Sequence, residues 1–124
     1  MNTFREILPS ITRDEWKDIC KDLTDEDLLN LVKLSYGDIK FILIRIGLVE
    51  WRRRIRSFTL EQCSKLILLI RQDNIVMRLI AKYEYSLLNN SPIHNNYHEV
   101  YYIYLDTKGR IRELREKLTG KYTR

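Results

Sequence analysis

Between residues 71 and 82 lie five side chains whose types suit nucleic-acid recognition: Arg71, Gln72, Asn74, Arg78 and Lys82. Asn and Gln pair with the edge of adenine through two hydrogen bonds, Arg does the same for guanine, and Lys and Arg neutralise phosphate. In the stretch IVMRLIAKYE (75–84), Val76, Leu79, Ile80 and Tyr83, with Leu87 beyond, fall on one side of a helical wheel. Asn74, Arg78, Ala81, Lys82 and Tyr85 fall on the other, so that face is offered to solvent or to a ligand. A second basic set follows from the run WRRRIR at 51–56, where Arg52, Arg53 and Arg56 are candidate phosphate contacts. Arg45, Arg52 and Arg56 share a sector of roughly 40° at about 100° per residue. That stripe can follow a phosphate chain, pair with acidic residues nearer the N-terminus, or form a solvated face with Glu50–Arg54 as an i,i+4 pair.

These residues need a scaffold, and 124 residues suffice for one domain with a real core. The formal net charge of +5 is unevenly spread. Residues 1–37 hold five Lys/Arg and eight Asp/Glu, whereas residues 38–124 hold seventeen and nine. An acidic N-terminal helical arm (1–37), suited to dimerisation, and a basic domain (38–124) are therefore expected, and the basic body fits a polyanion partner. Cys20 and Cys63 fall on apolar helical faces and make no disulfide framework. The N-terminus MNTFREILPS lacks an uninterrupted apolar segment, and the longest apolar run, IKFILIRIGLV, is short and contains Arg45. The expectation is an intracellular, cytoplasmic protein with no membrane partner.

Capping chemistry places the elements. Thr12-x-x-Glu15 and Thr59-x-x-Gln62 have the form of capping boxes. The first opens a helix from about Arg13 to Leu23, with Trp16, Ile19, Cys20 and Leu23 on one face. Thr24 or Asp25 starts a second, ended by Gly37. A third is expected from Asp38 to about Arg56, apolar on two sides up to Val49 and on one stripe thereafter. The fourth begins at Thr59, and Arg71-Gln-Asp-Asn74 turns the chain into the fifth, which runs to about Leu88. Residues 99–105, EVYYIYL, are β-branched and aromatic enough for a strand, with a partner strand near Pro92–His94. Asp106 then caps a last helix with Ile111, Leu114 and Leu118 on one face.

From Thr59 onward this order resembles the winged helix-turn-helix of MarR- or PadR-type transcription regulators, over about half the chain. TLEQCSKLILLI is similar to the family's second helix, and VMRLIAKYE to its recognition helix. LLNNSPI stands at the entry to the wing, HNNYHE at the wing itself, and YIYLDTKGR resembles the segment that leaves it. The turn between Ile67 and Val76 is about two residues longer than the family's, the entry lacks its glycine, and the wing tip has no arginine. The fold class so implied is mainly α with a small β-hairpin: a winged helix-turn-helix with an N-terminal helical arm. The resemblance implies a DNA-binding transcriptional regulator that places helix 75–88 in the major groove of double-stranded DNA. It also implies a homodimer formed through residues 11–36 and 107–119, with contacts at Trp16, Leu28, Val32 and Leu114. No cofactor is implied.

Other chemistries have less to stand on. His94-x3-His98 with Cys20 or Cys63 is a thin case for a metal, because the two histidines fall in an expected loop or strand rather than on a helix, and the cysteines read as buried apolar fillers. No glycine-rich phosphate loop or nucleophile–base motif is present, so no enzyme is expected. Fold does not fix function, and the alternative is a small viral or mobile-element protein that binds and inhibits a host protein such as a polymerase or nuclease. Trp16, Trp51 and the RRRIR run would be its hot spots.

Overall fold

The computed structural model describes residues 11–90 and 97–120, which form seven helices. They are α1 (Arg13–Asp22), α2 (Asp25–Leu34), α3 (Ile39–Ile46), α4 (Leu48–Ser57), α5 (Leu60–Gln72), α6 (Asn74–Leu88) and α7 (Tyr97–Leu118). Local chemistry explains most of the boundaries. Complete capping boxes open α1 at Thr12 and α5 at Thr59, and the Thr24 hydroxyl accepts from the Asp27 N–H at 3.0 Å to open α2. Asp73 separates α5 from α6: its Oδ1 accepts from the Ile75 and Val76 N–H groups at 3.0 and 3.1 Å.

The single helix expected over 38–56 is two helices. Gly47 joins them with φ +88° and ψ 157°, a conformation essentially confined to glycine, and the chain turns a corner there. The apolar two-sided stretch up to Ile46 forms α3, and Val49, expected on one of its inward sides, instead lies in the first turn of α4 and is 86% exposed.

The expected winged helix-turn-helix is not the fold. No strand occurs among the described residues, and the expected strand 99–105 is part of α7, a continuous helix of 22 residues. The reason is the spacing of what is buried: Val100, Ile103, Tyr104 and Thr107 line one face at intervals of three, one and three, with Ile111 and Leu114 continuing it. Asp106 is not a cap but a mid-helix residue, held by Arg52 at 2.6 Å. Thr107 is fully buried, and its hydroxyl is satisfied within the helix by donating to the Ile103 carbonyl at 2.7 Å. The expected partner strand and the wing tip lie at 91–96, outside the described residues, while Tyr97–Glu99 begin α7.

α7 is the central element and packs against α3, α4, α5 and α6; α2 lies on α5, and α1 on α3. Trp51 and Phe58 are the largest fully buried side chains. Helices from both sides of residue 37 share this core, since Trp16, Cys20, Leu28, Leu29 and Val32 sit in it with Trp51, Leu66 and Ile103. Buried Arg54 ties the two regions together. It donates to Asp25 at 3.0 Å and to the Cys20 carbonyl, and lies 3.6 Å from Glu50. No helix among the described residues is long and apolar enough to cross a membrane.

Candidate nucleic-acid interface

The candidate residues from α5 and α6 divide into two surfaces. On α6, Val76, Leu79, Ile80 and Tyr83 are buried and Leu87 is exposed. Asn74, Arg78 and Lys82, each four residues from the next, are exposed, and their side chains have no hydrogen-bond or ion-pair partner among the described residues. Arg71 and Gln72, also exposed, close α5.

Arginines 52, 53 and 56 are differently placed. Arg52 is committed to Asp106 and lies over the Tyr102 ring, 5.8 Å from its centroid. Arg53 grips Glu50 through Nε at 3.0 Å and Nη2 at 2.6 Å, a pairing that raises its pKa further. Of the three, Arg56 alone has a side chain without a partner among the described residues; its carbonyl accepts from Arg110 at 3.1 Å. Of the expected stripe Arg45, Arg52 and Arg56, Arg52 is neutralised by Asp106, and the Gly47 corner puts Arg45 on α3, apart from the two on α4.

Charge without counter-charge gathers elsewhere. Between α5 and the C-terminal half of α7 runs a groove of about 620 Å³. Its apolar floor includes Ile67 and Ile111, and its cations are Arg71, Lys108, Arg112 and Arg115, facing one carboxylate, Glu116. Tyr104 supports two of them. Its hydroxyl oxygen accepts from Arg71 Nε at 3.3 Å, and Lys108 Nζ stands 5.1 Å from its ring centroid. None of the four cations is in an ion pair among the described residues. Lys108, Arg112 and Arg115 follow one another along α7 and, at about 1.5 Å per residue, spread over roughly 10 Å of helix. Sequence reasoning found Arg71 and missed the other three. Their signal was available as a basic i, i+4, i+7 stripe beside Ile111, Leu114 and Leu118.

The surfaces imagined for protein partners are mostly internal. Trp16 is 3% exposed and Trp51 fully buried, so neither is a surface anchor. Of the residues expected to form a dimer contact, Trp16, Leu28 and Val32 are core residues and Leu114 is half-buried against the core. Both cysteines are free and buried; burial raises the Cys20 pKa and pushes the Cys63 thiol up to about 11. No group of three His, Cys, Asp or Glu side chains among the described residues could hold a metal, and His94 lies outside them. Comparison with family models, curated proteins and solved structures finds no match to this chain.

Proposed function

We propose that this chain binds double-stranded DNA through the basic groove between α5 and α7. The observation that supports the reading is the groove's uncompensated charge: Arg71, Lys108, Arg112 and Arg115 against Glu116 alone. Clustered cations without internal partners repel one another, and a phosphate chain relieves that repulsion while releasing its condensed counter-ions. The spread of three cations along α7 suits successive phosphates of one strand. Such contacts position a protein on the duplex without specifying sequence. Gln72 and Asn74 do not line the groove, but they are exposed within three residues of Arg71 and are the base-reading groups of this proposal, each able to pair with adenine. Arg78 and Lys82 stand farther along α6.

The test is fluorescence anisotropy of a labelled duplex pool with the wild type and with Arg112→Ala/Arg115→Ala. Both arginines are exposed and unpaired among the described residues, so the double variant should keep its fold. Equal binding by the two proteins refutes the proposal.

A second reading has its own observation, the apolar part of the same groove. Leu68, 56% exposed, lines it with Ile67 and Ile111, and phosphates have no use for that surface. An acidic amphipathic helix of a host polymerase or nuclease would use both halves, as a small viral or mobile-element inhibitor requires. Under that reading Leu68→Asp abolishes binding to the host protein, whereas duplex binding is absent from the start.

A further inference from the structure

A second cavity, of about 770 Å³, lies between α1 and the α3–α4 corner, and its lining has a different logic. Most of its charges are already spent. Arg53 is held by Glu50, and Lys21 by Asp18 at 3.4 Å. Glu99 accepts from the Leu48 N–H through Oε1 at 3.3 Å, while its buried Oε2 makes no hydrogen bond and lies 4.0 Å from Arg13. The first N–H of α4 is therefore taken by a carboxylate, and the helix end is not what awaits an anion. Two lining cations have no partner among the described residues: Lys17 from α1 and Arg45 from α3. Beside them the corner supplies an apolar wall of Ile46, Leu48 and Val49, and Val49 is 86% exposed.

We infer that this cavity binds a small organic anion, a carboxylate or sulfonate carried on an aromatic or short aliphatic body. Lys17 and Arg45 hold the anionic group, and Ile46, Leu48 and Val49 cover the body. The volume is in the range of small-molecule sites, about 300–1,000 Å³, and the apolar wall stands beside seven charged side chains, of which Lys17 and Arg45 are the two without a partner among the described residues. An inorganic anion would leave the apolar wall wet. A neutral apolar molecule would leave Lys17 and Arg45 unanswered. The inference does not depend on duplex binding, because no residue of this cavity lines the α5–α7 groove.

The experiment titrates naphthalenesulfonate into the nitrogen-labelled full-length chain and follows amide proton–nitrogen correlation spectra. Saturable shifts are expected at the α3–α4 corner and along α1. Sulfate and neutral naphthol should each bind far more weakly. Arg45→Ala should weaken binding about tenfold, the loss of one charge-assisted contact. Lys17→Ala, an exposed change on another helix, gives the same reading should Arg45→Ala fail to fold. Shifts centred elsewhere, unchanged affinity in a folded Arg45→Ala or Lys17→Ala, or equal binding of naphthol overturns the inference. Displacement by duplex DNA overturns it too, because the cavity would then be a phosphodiester site. Groove variants measured alongside keep the two proposals apart, since Arg112→Ala/Arg115→Ala should leave naphthalenesulfonate binding unchanged.

Discussion

Removing Arg112 and Arg115 together should change how duplex binding responds to salt, not only how strong it is. Four phosphate contacts, one for each groove cation, give a slope of about −3.6 for log K against log salt concentration. Raising salt from roughly 50 to 200 mM then weakens binding about 150-fold. With two contacts left the slope falls to about −1.8 and the same salt step costs only about 12-fold. The slope is the better observable because a general loss of folded protein lowers affinity at every salt concentration without flattening the line. Anisotropy on one labelled duplex, read at five or more salt concentrations, measures it. Arg52→Ala/Arg53→Ala is the control: both side chains are already paired with carboxylates, so the slope should stay near the wild-type value. Arg78→Ala/Lys82→Ala should reduce it by less than about 0.9, one contact. A wild-type slope near zero, or an unchanged slope in Arg112→Ala/Arg115→Ala, refutes the groove. A larger fall for the α6 pair than for the groove pair moves the interface to α6.

Three further outcomes follow from the fold. Gly47→Ala has room for its Cβ, with Glu99 Oε1 3.7 Å away, but forces alanine into a glycine conformation; urea unfolding should show a loss of about 1–3 kcal/mol, and none would mean the corner relaxes freely. Arg54→Ala takes a buried cation from Asp25, Glu50 and the Cys20 carbonyl, leaving Asp25 the Ser57 hydroxyl and the carbonyl the Leu23 N–H, and should cost roughly 3 kcal/mol, against less than about 1 kcal/mol for the exposed Arg53→Ala; equal losses in chemical denaturation would remove Arg54 from its structural role. Burial pushes the Cys63 thiol up to about 11 in the folded chain, above an unfolded value of about 8.5. The stability tied to its protonated form is present below the unfolded value and lost as pH rises through 11, up to roughly 3 kcal/mol. Urea midpoints for wild type and Cys63→Ala should therefore diverge less at high pH than near neutrality, and parallel pH profiles would sink the assignment.

How much of this was legible in the sequence depends on how far away the deciding partner sits. The starts of α1, α2 and α5 were readable because a cap and its target are three residues apart. The buried stripe of α6 was readable because each helix turn repeats it. EVYYIYL reads as a strand because five of its seven residues are β-branched or aromatic, and so short a window satisfies either period. What makes them helical lies outside the window: Ile111 and Leu114 extend the same buried face, and Tyr101 and Tyr102 stack with Tyr83 of α6 at centroid distances of 4.9 and 5.9 Å. The WRRRIR run shows the limit most sharply. Six consecutive residues contain one arginine in the interior and two neutralised at the surface, and the choice among them is made by Asp25, Glu50 and Asp106. Only Glu50 is near in sequence. A basic run therefore says that cations are present, while their availability to a phosphate is a property of the packed chain. By that criterion the reading of a nucleic-acid surface moves from the densest run of arginines to the sparser set on α7. There Lys108, Arg112 and Arg115 form no ion pair among the described residues, and Glu116 is the one carboxylate that lines their groove.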